Sequence, residues 1–450
     1  MPPSIKFHHV PRLLRLAGPL ILSSSAIMTM QIIDAYVLSW HSAEAVAAMG
    51  PSSLSVLLFQ GFLFGVAAYA GTFVAHNYGH RDRQGVWKSA WLGIHAALLS
   101  GIAALLVAWP LSRIFTLIGH DPLVARYEET YFLICLAGSF FPVLGGALTG
   151  WLSGIGRPLA IAWVSVFSFA INAVLTWGLV LGKWGLPRLG IGGAAVGTVT
   201  AEMISATLYA ILFFKAGGFS DPAARRFDWV NFRYFLRLAL PLGLRITGEV
   251  VAWALFLVVV GRLGVVELAA SSIAFRVNGL AFFPAMGLGQ AAGILVGQAR
   301  GAGRDDLVPA ITWQSLGVAE IWMVVMAIFF ATASTPLMAI FAGQGPDSGR
   351  IIAAGNLILK FVAVYCLVDA ANLLLGWILA SAGDTRWLAR AYLVSSAVFL
   401  ILLWLTDRFI PGLIAEWTLA TVFIAATALI WTVRFHSGGW RKIQVIRKTP

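Results

Sequence analysis

Apolar runs of about 20 residues or more follow one another along the chain, separated by short polar breaks. A run of that length carries one helix across a hydrocarbon core of about 30 Å. The pattern predicts twelve such spans, at 13–39, 46–76, 86–110, 126–153, 158–182, 191–214, 234–261, 267–298, 308–333, 351–381, 386–406 and 411–434. They are too long for the roughly ten-residue strands of a membrane barrel. The opening stretch MPPSIKFHHVPRLLRLAGPL leads straight into a full-length run and has no small-residue cleavage site, so the first span is read as a retained helix.

The pattern is written twice. RLAGPL at 15–20 returns as RLALPL at 237–242, and at the same offset Gly65, Ala70, Gly71, Val74 and Gly79 meet Gly287, Ala292, Gly293, Val296 and Gly301. VAAMG at 46–50 corresponds to LAASS at 268–272, and GWLSGIGRP at 150–158 to GWILASAGDT at 376–385 with one insertion. The polar stretch from Lys215 to Arg233 divides the copies. The expected organisation is an N-lobe over 1–214, a cytoplasmic linker over 215–233 and a C-lobe over 234–450 that ends in a basic cytoplasmic tail. The fold class is an all-α polytopic membrane protein with twelve transmembrane helices in two pseudo-symmetric six-helix lobes. Six spans per copy place both copies in the membrane with the same orientation, as in transporters whose halves rock about a central site.

Composition agrees with burial in lipid. The chain is 59% hydrophobic and 11% charged, with a mean hydropathy of +0.85, where soluble domains carry roughly 25% charged residues. The formal charge of +12 reads as topology and not as nucleic-acid binding, because Lys and Arg collect in alternate loops. Lys6, Arg12, Arg15, Arg81, Arg83, Lys88, Arg157, the 215–237 loop, Arg300, Arg304, Arg386, Arg390 and the tail RKIQVIRK fall on one side. That side is expected to be cytoplasmic, with both termini in it. Cys135 and Cys366 lie inside spans and are read as small buried hydrophobes. No Cys/His spacing suits a metal, and GWLSG is not a nucleophile elbow.

Charged residues inside the spans cost about 2.5–3.5 kcal/mol each on insertion scales and so mark paths or partners. They are Asp34, Glu202, Arg245, Glu249, Arg276, Glu320, Lys360, Asp369 and Glu416. Helical spacing puts Arg245 with Glu249, Asn172 with Thr176, Thr198 with Glu202, and Tyr365 with Asp369 on shared faces. Arg245 either cancels the charge of Glu249 or tunes it. Pro284 removes a helical hydrogen bond in the eighth span, as a hinge or as a static kink.

Four segments carry a resemblance: LAGPLILSSSAIMTMQIIDAYVLS, INAVLTWGLVLGKWGLPRLGIGGAAVGTVTAE, LPLGLRITGEVVAW and RVNGLAFFPAMGLGQAAGILVGQARGAG. Over essentially its whole length the chain resembles the multidrug and toxic compound extrusion (MATE) family, nearest the norfloxacin-pump branch. The resemblance implies antiport of organic cations against sodium ions or protons. It places the family's first-span acid on Asp34, polar N-lobe positions on Asn172 and Thr198, and C-lobe acids on Glu249 and Asp369 beside Tyr365, where Na+ is a candidate ligand. The N-lobe commonly has a second acid one turn after the Asn. Here Thr176 stands in that position, and Glu202 is the candidate replacement.

The expected function is therefore a cation-coupled (Na+ or H+) antiporter that exports amphipathic, cationic aromatic drugs by alternating access from the bacterial inner membrane. It is expected to act without a cofactor, as a monomer among membrane lipids. The alternatives are a lipid-linked saccharide flippase of the same superfamily, which would line its cleft with basic groups, and a polytopic membrane enzyme, for which no nucleophile with its base is present.

Overall fold

The computed structural model describes residues 9–343 and 345–446; Lys6, Arg447 and Lys448, counted above among the basic groups of one face, lie outside them. The helices are α1 (Val10–Ser39), α2 (Ala43–Ala68), α3 (Ala70–Gly79), α4 (Arg83–Ser112), α5 (Ile114–Ile118), α6 (Pro122–Ala137), α7 (Phe140–Gly154), α8 (Pro158–Leu181) and α9 (Ile191–Lys215). They continue with α10 (Pro222–Arg225), α11 (Trp229–Leu263), α12 (Val265–Gly301), α13 (Val308–Phe341), α14 (Ser348–Ser381), α15 (Thr385–Phe409) and α16 (Leu413–His436). Helices suit lipid because each backbone group is paired within its own segment.

Their ends follow local chemistry. The Ser42 side chain accepts from the Ala45 N–H, Asp82 from Gly85, and Asp121 from Leu123 with Pro122 in the first turn. Ten segments are long and apolar enough to cross a membrane when α2 joins α3 and α4 joins α5. The α6–α7 pair, bent by 44°, makes an eleventh, and the 30-residue α1 a twelfth. The chain is a multi-pass membrane protein of twelve transmembrane helices.

The spans are less uniform than their hydropathy suggests. The second breaks at Tyr69, the third at Arg113 and the fourth at Gly138–Ser139. A Cβ at Gly138 would lie 2.6 Å from Cγ1 of Val199, so the fourth span bends where it closes on α9. The ninth runs to Phe341 and kinks at Ala333 (φ −108°, ψ 17°), three residues before Pro336, which has no N–H for the carbonyl of Thr332. By contrast α12 is helical across Pro284.

Two compact units form, and their borders differ from the sequence halves 1–214 and 234–450. One holds the chain from Leu22 to Thr247, the other the chain up to Ile21 with Gly248–Arg300 and Arg304–Val445. Each repeat thus gives the first half of its first helix to the other unit. In the first unit Val37, Phe115, Phe132, Leu136 and Ile191 belong to one buried core. There α3 crosses α7 at Gly71 and Gly150, so closely that a Cβ on Gly71 would meet the Gly150 carbonyl oxygen at 2.7 Å. In the second unit an aromatic core joins Phe256, Phe275 and Trp417 to Phe399, which stacks on Phe423 at 4.4 Å. The repeat equivalent of Gly71, Gly293, lies against Trp377, where a Cβ would meet the carbonyl oxygen at 3.2 Å. The Ser381 hydroxyl donates to the Gly293 carbonyl at 2.6 Å. The sequence repeat is therefore also a repeated helix crossing.

Candidate functional site

Asp34, on the apolar helix α1, is 2% exposed. The Thr176 hydroxyl from α8 donates to its Oδ1 at 2.9 Å, and the Thr198 hydroxyl from α9 donates to its Oδ2 at 3.3 Å. Behind Thr198 the Asn172 amide donates to the same hydroxyl at 3.3 Å. Asn172 and Thr176 are fully buried, and Asn172 Oδ1 has no hydrogen-bond partner. Asp34 and three of the four residues read from sequence as two helical pairs thus form one cage from three helices. A buried acceptor left open beside a carboxylate is a ready partner for a proton-bearing group or a cation.

Glu202 is one turn beyond Thr198 on α9, partly buried. It lies within Coulomb reach of Cys135 and Tyr209, and Cys135 also feels Asp34. The hydrogen bonds of Asp34 come from Thr176 and Thr198, so Glu202 stands beside the cage and Thr176 forms part of it.

A second cluster occupies the other unit. Asp369 is 6% exposed and accepts from the Asn372 amide at 3.0 Å; the Asn372 carbonyl accepts from the Trp431 indole at 2.8 Å. Buried Tyr365 is one turn earlier on α14, and Glu249 on α11 is close enough to act on Asp369 electrostatically. Asn372, three residues after Asp369, is a site residue that helical spacing could have found. Trp431, from α16, had no local signal. Arg245 and Glu249 share one uninterrupted helix four residues apart, as their spacing predicts. Among the other charges within spans, Arg276 and Lys360 are exposed and Glu416 is fully buried. Among the described residues no three His, Cys, Asp or Glu side chains are grouped to hold a metal ion.

The MatE family model matches residues 19–177 and 241–405, which takes in both repeats. The probable multidrug resistance protein NorM of Pseudomonas putida is 31% identical over 363 residues, 79% of this chain and 78% of its own. The protein of the same description from Agrobacterium fabrum is 28% identical over 445 residues, 95% and 94% of the two chains. The solved outward-facing conformation of a multidrug resistance MATE family transporter of the MOP superfamily has a TM-score of 0.88 at 17% identity, over 96% of each chain. MATE in complex with MaL6 gives 0.88 at 16% identity, over 98% of this chain and 100% of that one. These structures share the fold, and the sequence matches carry the kinship: this chain belongs to the MatE family of transporters, in its NorM branch.

Proposed function

We propose that the protein is a cation-coupled antiporter that exports amphipathic, cationic aromatic drugs across the bacterial inner membrane, with both termini in the cytoplasm. The naming of its relatives as multidrug resistance proteins supports the drug export. The observation that carries the coupling is the Asp34 cage, a buried carboxylate held by neutral hydroxyl and amide groups.

Such a group is costly to keep ionised in a low-dielectric interior, so it takes a proton, a metal cation or a cationic drug, one at a time. Exclusive occupancy makes the two fluxes an exchange. At Asp34 the ion is the proton, because Thr176 supplies a hydroxyl where a second carboxylate would strengthen a sodium site. When Asp34 is ionised, Thr176 and Thr198 donate to it; once it is protonated, Asn172 Oδ1 is an acceptor within the same cage. The Glu249–Asp369 cluster, with the Tyr365 ring beside it, offers a drug cation both charge and an aromatic face, and Na+ is its alternative occupant. Drug efflux from proteoliposomes, first under an imposed proton gradient and then under a sodium gradient, tests the reading. Efflux should follow the proton gradient and be lost in Asp34→Asn. Transport driven by sodium alone, insensitive to that substitution, would refute it.

A further inference from the structure

Two turns beyond Asp34, roughly 10 Å along α1 at 1.5 Å per residue, the chain leaves the helix at Trp40 and His41. His41 is seated against the α8–α9 loop, GKWGLPRLG at 182–190, which folds back onto its own helix through Lys183 N–H to Gly178 O at 3.0 Å and Leu189 N–H to Leu179 O at 2.8 Å. The seat is shaped for an imidazole. Gly190 is buried in a left-handed conformation (φ +54°), and a Cβ there would run into His41 Nε2. His41 Nδ1 is buried without a partner. Trp40 stands edge-on to Trp177 at 5.2 Å, and Trp177 follows Thr176, the residue bonded to Asp34. His41, the loop and the Trp40–Trp177 pair therefore stand at the end of these helices beyond the Asp34 cage, the outer end if both termini are cytoplasmic as proposed.

We propose that His41 is a positioning residue of the transport cycle: a latch that closes the loop over the Asp34 cage when neutral and releases it when protonated. The inference rests on Asp34 being the coupling carboxylate. Arg188 on the loop is the charge that acts on His41. Other charged groups on the surrounding elements are Lys183 on the same loop, Glu44 on α2, Arg126, Glu128 and Glu129 on α6, Glu202 on α9 and Asp34 below; Glu128 is engaged by His120 and Glu129 by Arg113. Burial, and after it the Arg188 guanidinium, holds the imidazole below its ordinary value, which is about 6.5. The seated state therefore binds a proton less readily than the released one, so acidification through the ordinary value favours release and the latch holds above it. An acidic exterior would open the route by which a proton reaches Asp34.

Spin labels at Glu44→Cys and Pro187→Cys, both exposed positions, report the gap across the latch; the native Cys135 and Cys366 are buried. Between pH of about 8 and about 5, the range of a titrating histidine, the distance should lengthen on acidification with a midpoint at or below the ordinary histidine value. The transition should vanish in His41→Gln and in His41→Asn, which keep a polar side chain without the titration. It should weaken and move to lower pH in Arg188→Gln, because the seated imidazole then binds a proton nearly as readily as the released one. A distance that does not change with pH in the native side chains, or a transition that survives both His41 variants, overturns the latch. The readout needs no transport, so a failure of Asp34 as the coupling group leaves the distances unchanged and shows only in efflux.

Discussion

Asp34 and Asp369 meet the same requirement with different neighbours. Asp34 draws two hydroxyls from two other helices, while Asp369 draws an amide whose far side is held by an indole. Burying an unpaired acid at mid-membrane costs about 2.5–3.5 kcal/mol on insertion scales, and an amide of the same shape costs less. Asp34→Asn should therefore reach the membrane at native abundance, since its carbonyl can still accept from Thr176, yet lose drug export and its dependence on external pH. Undiminished export at matched abundance would make Asp34 a packing residue. Trp431→Phe keeps a ring in the core but removes the donor to Asn372, leaving that half-buried carbonyl without its partner at a cost of at most about 1–3 kcal/mol. The melting temperature of the purified protein should fall. An unchanged melting temperature would mean that the indole acts by packing alone.

Glycine sets the closest helix approaches, and the repeat grades them. At Gly71 a Cβ would meet the backbone of Gly150 at 2.7–3.0 Å, atoms that cannot turn aside; at Gly293 the nearest backbone atom is 3.2 Å away. Gly71→Ala should consequently destabilise by about 1–3 kcal/mol, the usual range for overpacking, and Gly293→Ala by clearly less, as read by thermal unfolding in detergent. Equal effects would show that the two crossings tolerate strain alike. These glycines could be read from the sequence as a repeat, because both copies must bring helices together at the same level. The spans were legible for a simpler reason: lipid imposes about 20 apolar residues on any crossing helix. The breaks at Tyr69, Arg113 and Gly138–Ser139 were not, since hydropathy is blind to a change of axis inside an apolar run. The cage around Asp34 was partly visible, as the pairs Asn172–Thr176 and Thr198–Glu202 on single helices. Which pair member faces the acid depends on rotations between helices, and that placed Thr176 inside and Glu202 to the side. Trp431 is 59 residues from Asn372, beyond the reach of any helical periodicity.

At the scale of the whole chain, the sequence halves and the compact units exchange their first half-helices: α1 changes unit after Ile21 and α11 after Thr247. Residues of one helix therefore belong to two packing environments, with Asp34 on the first unit's stretch of α1 and Glu249 on the second unit's stretch of α11. Each unit has its own buried acid cluster, and the proposed exchange has two ways to use them, in parallel or in one cycle. The two arrangements differ in how mutational losses combine. Parallel routes predict that Asp34→Asn and Asp369→Asn each leave part of the export and that the double variant multiplies the losses. A single cycle, in which one acid takes the ion and the other the drug, predicts that either substitution stops turnover and that the double variant is no worse than the more severe single one, the non-additivity expected of groups that act as a unit. The second outcome is expected here, because the clusters are chemically unlike. One is a lone carboxylate among hydroxyls, suited to a proton. The other is two acids beside Tyr365, with room in its chemistry for an aromatic cation. Initial rates of drug efflux from proteoliposomes under one proton gradient, compared across the four proteins, decide between them: multiplied losses would separate the sites into independent routes, and a double variant equal to the worse single joins them in one exchange.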